Sequence, residues 1–313
     1  MNKDSKIYIA GHTGLVGSAI KAELEKQGYS NLVFKTHNEL DLTNTADVKN
    51  FFEQEKPQFV IIASAKVGGI LANSTYPVEF MLENLKIQNN LIELSYQYNV
   101  EKLIFLGSSC IYPKDAPQPI KEEYLLTSEL EKTNEAYALA KICGVKLCEY
   151  YNKEYNKDFI SVMPCNLYGI NDTYDDKNAH VIPMLIKKFH EAKIQNKPHV
   201  EIWGTGKPLR EFLFAEDLAQ AIVLLLTSDT KQLGTIINIG SSKEISINDL
   251  AVTLKQIIGY NGEMTFDSTK PNGTMRKLLD NTKINKLGWQ AKTELIIGLK
   301  KACSDFISKK VVQ

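Results

Sequence analysis

The first turn of the chain constrains its fold more than any other feature. An apolar run from Lys6 to Ala10 leads directly into Gly11-His12-Thr13-Gly14-Leu15-Val16-Gly17. A helical pattern then runs from Gly14 to Gln27, with Leu15, Ala19, Ala22 and Leu24 on one side. Glycines spaced this way between a strand and a helix let the backbone turn sharply and approach a pyrophosphate. The helix N-terminus then offers free N–H groups and the positive end of its dipole. A glycine triplet also suits a tight turn that serves packing alone, but its place at the first strand favours a dinucleotide.

Beyond this turn, strands and helices alternate. Leu32 to Lys35, Phe59 to Ala63, Lys102 to Gly107 and Phe159 to Met163 read as strands. Thr45 to Glu55, Pro77 to Asn99 and Glu135 to Tyr155 read as helices, with Pro77 suited to a first turn. This order predicts an α/β fold with a Rossmann-type, doubly wound parallel sheet covered on both faces. Beyond Pro164 the pattern loosens. A polar loop is expected at Asn166 to Asn178, a helix at His180 to Ala192, a short strand at Val200 to Trp203 and an apolar helix at Ala215 to Thr227. Thr235 to Ile239 reads as a strand returning to the main sheet. Two more helices are expected at Ile247 to Ile258 and Thr293 to Ile307, around a loop at Lys270 to Thr274. The expected division is a nucleotide-binding domain of residues 1–165 and about 211–240, and a smaller, mostly C-terminal α/β substrate lobe of about 166–210 and 241–313. Substrate is expected between them, beyond the carboxyl ends of the strands.

Composition narrows the partners. The 313 residues carry 37 basic and 37 acidic side chains, so nothing marks nucleic acid as a partner. The longest central apolar run, Ala221 to Leu226, is far too short to cross a bilayer, and the N-terminus lacks the apolar stretch of a signal peptide. Five cysteines, Cys110, Cys143, Cys148, Cys165 and Cys303, show no paired or metal-ligand spacing. A reduced, cytoplasmic protein without a metal is the expectation. Only Arg210 and Arg276 are arginines; every other basic residue is lysine. Those two positions mark candidate sites for a planar, two-pronged donor, although chance gives the same tally.

The chemistry is concentrated in two places. The strand from Lys102 ends in Ser108-Ser109-Cys110-Ile111-Tyr112-Pro113, and an extended chain would point Ser108 and Cys110 the same way. On the later helix, Tyr137 and Lys141 share a face at four-residue spacing. A phenol with an ordinary pKa near 10 exchanges protons poorly at neutral pH, and a nearby ammonium is expected to lower that value. Tyr137 is therefore expected to protonate a carbonyl oxygen as hydride reaches its carbon, with Ser108 orienting that oxygen and Lys141 holding the nicotinamide ribose. In isolation such a pair is more often a core tyrosine beside a surface lysine. The second strand ends in Lys35-Thr36-His37 where an acid would bind the ribose of NAD, so Lys35 and His37 favour the 2′-phosphate of NADP. Asp41 and Leu42 just beyond are candidates to touch the adenine.

Longer strings resemble the extended short-chain dehydrogenase/reductase family, in its branch of GDP-sugar epimerase/reductases. They are Ile9-Ala10-Gly11-His12, Ala65-Lys66-Val67-Gly68-Gly69-Ile70, Gly107 to Pro113, Val162-Met163-Pro164-Cys165-Asn166-Leu167-Tyr168-Gly169, His180-Val181-Ile182-Pro183, Trp203-Gly204-Thr205-Gly206 and Arg210-Glu211-Phe212. The resemblance implies a Rossmann domain, NADP(H), a GDP-4-keto sugar substrate and a homodimer. It implies Ser108, Tyr137 and Lys141 as the reductase set, and Cys110 and His180 as the acid/base pair for epimerisation. Cofactor contacts carry over onto Gly11, His12, Thr13, Gly14, Leu15, Val16 and Gly17, then Leu106, Gly107, Ser108, Ser109 and Lys141, then Pro164, Cys165, Asn166, Leu167 and His180. Substrate contacts carry over onto Lys188, Trp203, Arg210 and Asn272, and Arg276-Lys277 forms a second candidate anion site. Three positions depart from the pattern: Thr13 and His37 stand where some members carry arginine, and Asn272 where aspartate is common. The implied activity is C3/C5 epimerisation and C4 reduction of GDP-4-keto-6-deoxy-D-mannose. A C4 reductase of another GDP-4-keto sugar, such as a 6-deoxy-heptose, fits the same residues, and a non-catalytic NADP-binding sensor is the alternative of a different class.

Overall fold

The computed structural model describes residues 1–175 and 179–311. In chain order the first half comprises β1 (Ile7–Ala10), α1 (Leu15–Lys26), β2 (Leu32–Val33), α2 (Thr45–Glu55), β3 (Phe59–Ile62), α3 (Ile70–Thr75), α4 (Pro77–Gln97), β4 (Lys102–Leu106), α5 (Glu135–Tyr155) and β5 (Asp158–Pro164). The second half comprises β6 (Asn166–Tyr168), α6 (Val181–Ile194), β7 (His199–Trp203), β8 (Leu209–Phe214), α7 (Ala215–Thr227), β9 (Ile236–Ile239), β10 (Glu244–Ser246), α8 (Ile247–Ile258), β11 (Glu263–Asp267), β12 (Arg276–Lys277), α9 (Thr282–Asn285) and α10 (Leu295–Val311).

The main sheet has the order β2-β1-β3-β4-β5-β9 and is parallel throughout, as the alternating pattern predicts. Its inner strands are buried on both faces, which is why β1, β3 and, after Lys102, β4 read as continuous apolar runs rather than alternating ones. Helices α2, α4 and α5 pack in series on one another, while α1 packs against α7. The chain order reverses at β1, between β2 and β3. A crevice opens there at the carboxyl ends of the strands. Asn44 caps α2 by accepting from the Ala46 and Asp47 amides, and Ser246 caps α8 by accepting from Asp249. These caps fix helix starts that the sequence places correctly.

A second, smaller core belongs to the lobe and gathers Tyr168, Leu185, Phe189, Phe212, Phe214, Leu254 and Leu299. Around it β8 pairs with β10, β12 and β6, and β11 pairs with β7. Asn166 to Tyr168 is thus a strand within the segment expected to be a polar loop. Three residues are too few to show a periodicity, and pairing with β8 decides their conformation. Residues 176–178 of that expected loop lie outside the described residues. The expected boundary between 210 and 211 falls inside β8. Leu213 of this strand joins the main core, while Phe212 and Phe214 join the lobe's core, so one strand ties the two together. No helix among the described residues is long and apolar enough to cross a membrane.

Candidate active site

A cavity of about 430 Å³ opens where the carboxyl ends of the parallel strands meet the lobe. Its floor begins with the glycine turn. Gly11 has φ +85°, a conformation that favours glycine, and a Cβ on Gly17 would collide with the Gly11 carbonyl. Helix α1 starts at Gly14 with no side-chain cap and no acid in its first turn. The first amides of α1 therefore remain available to an anion in the cavity. Three buried polar atoms nearby also lack a protein partner: His12 Nδ1, Asn73 Oδ1 and Asn134 Oδ1. An uncapped helix start, a turn too tight for side chains and unpartnered polar atoms together fit a dinucleotide.

The reacting end is built from β4 and α5. After Leu106 the chain does not stay extended; it enters a single 3₁₀ turn at Ser109–Ile111, with Ser108 accepting from the Cys110 amide at 3.1 Å. This turn, not strand alternation, brings Ser108 and Cys110 to the same cavity. Tyr137 hydrogen-bonds the Ser108 side chain. Lys141 is buried, and its Nζ donates to the Leu106 carbonyl at 2.8 Å and lies 5.9 Å from the Tyr137 ring centroid.

The electrostatics correct the sequence expectation. The Tyr137 phenol is pushed above its ordinary value, first by burial and then by the charge of Cys110, against the opposing hydrogen bond from Ser108. Lys141 is driven down to about 7 by burial. Desolvation disfavours the charged form of each group and outweighs the mutual effect expected from their spacing. Tyr137 therefore holds its proton firmly, which is the form that can donate.

His180 occupies the residue before α6 but makes no capping bond with its side chain; instead it lines the cavity. It is open on the cavity side, while the surrounding protein crowds its ring and lowers its pKa. Thr13, Leu15, Val16, Leu106, Gly107, Ser109, Pro164, Cys165, Asn166 and Leu167 line the same cavity. Cys165 is enclosed, and its thiol is held well above the ordinary value by burial and then by Glu211.

Other expected contacts lie outside this cavity. His12 stacks on Phe34 at 4.7 Å, beside β2. Lys35 is partly buried and His37 exposed beyond the same strand. Asp41 turns inward to accept from the Thr43 amide and hydroxyl at 2.9 and 2.8 Å, and Leu42 packs against the main core. On the lobe, Lys188 donates to the Glu201 carbonyl at 3.0 Å, and Trp203 is exposed with the Lys270 ammonium 5.5 Å from its ring. Asn272 commits its side-chain oxygen to the Thr205 amide and hydroxyl at 2.8 and 3.0 Å, and its carbonyl accepts from Arg210 at 3.2 Å. The pair Arg276-Lys277 divides. Arg276 forks onto Glu244 and faces away, while Lys277 reaches Cys110. The sequence does not single out Asn73, within α3, or Asn134, at the start of α5; only the fold shows that their side-chain oxygens are buried without a protein partner. No cluster of three or more His, Cys, Asp or Glu suited to a metal occurs among the described residues.

Residues 7–240 match the NAD dependent epimerase/dehydratase family. The chain belongs to that family. It is 55% identical over 298 residues to GDP-L-fucose synthase 1 of Arabidopsis thaliana, covering 95% of this chain and 92% of the relative. It is 48% identical over 301 residues to GDP-L-fucose synthase of Escherichia coli strain K12, covering 94% of each. Among solved structures it resembles a GDP-mannoheptose C4 reductase from Campylobacter jejuni with NADP bound, at TM-score 0.90 and 42% identity, covering 98% of this chain and 99% of that one.

Proposed function

We propose that this enzyme converts GDP-4-keto-6-deoxy-D-mannose to GDP-L-fucose, inverting C3 and C5 and reducing the C4 ketone with NADPH. The observation that carries the reading is the convergence of Ser108, Tyr137 and Lys141 with Cys110 and His180 on one cavity beside the glycine turn.

The ketone makes the protons on both neighbouring carbons acidic. A proton leaves one face and another arrives on the other, through an enolate. Cysteine and histidine ordinarily titrate on either side of neutral pH, so each can exchange a proton cheaply. Lowering of the His180 pKa by its crowded surroundings makes the imidazolium readier to release its proton. Ser108 donates to the C4 oxygen and so stabilises the enolate, and it stabilises the same oxygen again during reduction. Bound NADPH supplies the hydride for C4. Tyr137, kept protonated by its burial, then gives its proton to the C4 oxygen. Lys141, fixed by the Leu106 carbonyl, is placed to hold the nicotinamide ribose. The first amides of α1 receive the cofactor pyrophosphate, and Lys35 and His37 serve its 2′-phosphate. Arg210 and Lys188 are assigned to the GDP pyrophosphate, and Trp203 and Asn272 to the sugar-nucleotide.

Reduction without epimerisation, as the name of the Campylobacter jejuni relative describes, is the second reading. Turnover in deuterated water separates the two. Deuterium at C3 and C5 of the product, with NADPH consumed, supports the proposal; NADPH consumption without deuterium makes the protein a C4 reductase. A chain that binds NADPH but consumes none with any GDP-4-keto sugar is a sensor.

The assembly proposed is a homodimer in the cytoplasm. Val78 and Leu82 of α4 and Leu139, Cys143 and Tyr150 of α5 are exposed at helical spacing on two helices that pack together. A second copy of the same helix pair would cover such a face.

A further inference from the structure

Lys277 reaches from the lobe to the reacting turn. Its Nζ donates to Cys110 Sγ at 3.8 Å. Strand β12 explains why it points there. Successive side chains of a strand leave opposite faces. Arg276 is locked on one face by a two-pronged contact with Glu244 of β10 at 2.6 to 3.1 Å, so Lys277 is turned to the other. Its register partner on β8 is Arg210, whose pKa is lowered by burial, against the opposing charges of Cys110 and Glu131. Among the described residues neither Lys277 nor Arg210 has a carboxylate within ion-pair distance; Arg210 spends its donors on the Leu209 and Asn272 carbonyls. From the Rossmann side the polar groups around Cys110 are Ser108, Tyr137 and Lys141, and His180 shares the cavity. A thiol takes a carbon-bound proton only as thiolate, and an ammonium in contact with sulfur favours that form.

We infer that Lys277 is a positioning residue for epimerisation: its ammonium, in contact with the Cys110 sulfur, fixes and steadies that sulfur as Cys110 removes the proton beside the ketone. The inference rests on the Cys110 and His180 roles proposed above. In the step, a C–H bond breaks and an S–H bond forms, while the electron pair moves to the C4 oxygen as enolate. The imidazolium of His180 then protonates the other face of the carbon, leaving thiol and neutral imidazole.

The test compares Lys277→Met, Lys277→Arg and Cys110→Ser with the wild-type protein. Alkylation of Cys110 by iodoacetamide is followed against pH by peptide mass spectrometry, with an added cysteine-containing peptide as internal reference. This measurement needs no substrate. In Lys277→Met alkylation of Cys110 at pH 7 is expected to slow at least about tenfold, because the ammonium in contact with the sulfur is gone. Lys277→Arg restores most of the lost rate, and alkylation of the reference peptide stays unchanged. Deuterium exchange into the keto sugar without NADPH should fall at least about tenfold at pH 7 in Lys277→Met and recover as pH rises, with NADPH affinity retained. Coincident Cys110 profiles in Lys277→Met and wild type overturn the inference. So does a loss of exchange that no rise in pH restores. If Cys110→Ser still exchanges C3 and C5 protons, the assignment of Cys110 fails and the inference with it. If Cys110→Ser loses exchange while Lys277→Met matches wild type, the Lys277 role alone fails.

Discussion

Replacing Lys141 with methionine should make the protein more stable while abolishing its activity. Lys141 is 3% exposed and is held at about 7, against an ordinary lysine value of 10.5. Each unit of such a shift is worth about 1.4 kcal/mol. The buried ammonium therefore costs about 5 kcal/mol of stability at neutral pH and below. Methionine fills a similar volume without charge. The change leaves the Leu106 carbonyl without its 2.8 Å donor, a loss of about 1–3 kcal/mol. Desolvation is the larger effect, and a net gain of about 2–4 kcal/mol is expected.

The pH dependence separates this from generic repacking. Between about 7 and 10.5 the lysine is charged in the unfolded chain and neutral in the folded one. The unfolded state then binds more protons, so wild-type stability from this group rises with pH across that window. The advantage of Lys141→Met should thus be full at pH 6–7 and shrink towards pH 10. Urea unfolding of both proteins without nucleotide, at pH 6.5 and 9.5, measures it. A variant less stable than wild type at pH 6.5, or an advantage equal at both pH values, would refute the reasoning. Stability given up beside a reacting tyrosine is what a functional lysine should show.

The geometry leads to three further outcomes. With Tyr137 as the proposed proton donor at C4, Tyr137→Phe should slow ketone reduction by about 10²–10⁴-fold, read from NADPH absorbance, with NADPH affinity within a few-fold of wild type. Gly17→Ala drives a methyl into the Gly11 carbonyl, so the turn must open; NADPH binding by fluorescence titration should be lost, and tight binding would show that the turn does not hold the pyrophosphate. Leu139→Glu, on the exposed face of α5, should yield a monomer by light scattering with its fold intact, whereas an unchanged mass would move the dimer contact elsewhere.

The parts of the fold legible in the sequence are those where one physical signal dominates. Strands β1, β3 and β4 are buried on both faces and show it as solid apolar runs. Helices α2, α5, α7 and α8 lie at the boundaries expected, because caps or composition mark their ends. Strands β6, β10 and β12 have two or three residues each, and β12 is an arginine and a lysine; pairing with β8 makes them strands, and pairing leaves no local trace. The same limit applies at the cavity. The spacing of Tyr137 and Lys141 places them on one helical face, but the sequence does not carry their burial, and burial sets their charge states. Ser108 and Cys110 share the cavity through a turn that a strand-end reading misses.

The two sides of the cavity divide the electrostatic work. On the Rossmann side, desolvation keeps Tyr137 protonated and pushes Lys141 towards neutrality, so little fixed charge surrounds the position where hydride is exchanged. On the lobe side, Arg210 and Lys277 stand in register on neighbouring strands; among the described residues no carboxylate lies within ion-pair distance of either, though the Glu131 charge acts on Arg210. Neighbouring cations that are only partly compensated weaken the free protein and become more favourable when an anion arrives. A nucleoside diphosphate brings such charge. In the proposed mechanism reduction uses the neutral wall and proton abstraction the cationic one. Strand β8, packed into both cores, fixes the distance between them. Changes that loosen β8, such as Leu213→Ala, should therefore impair epimerisation and reduction together. A point change on either wall should separate them, and partial-reaction assays on the two kinds of variant test that division.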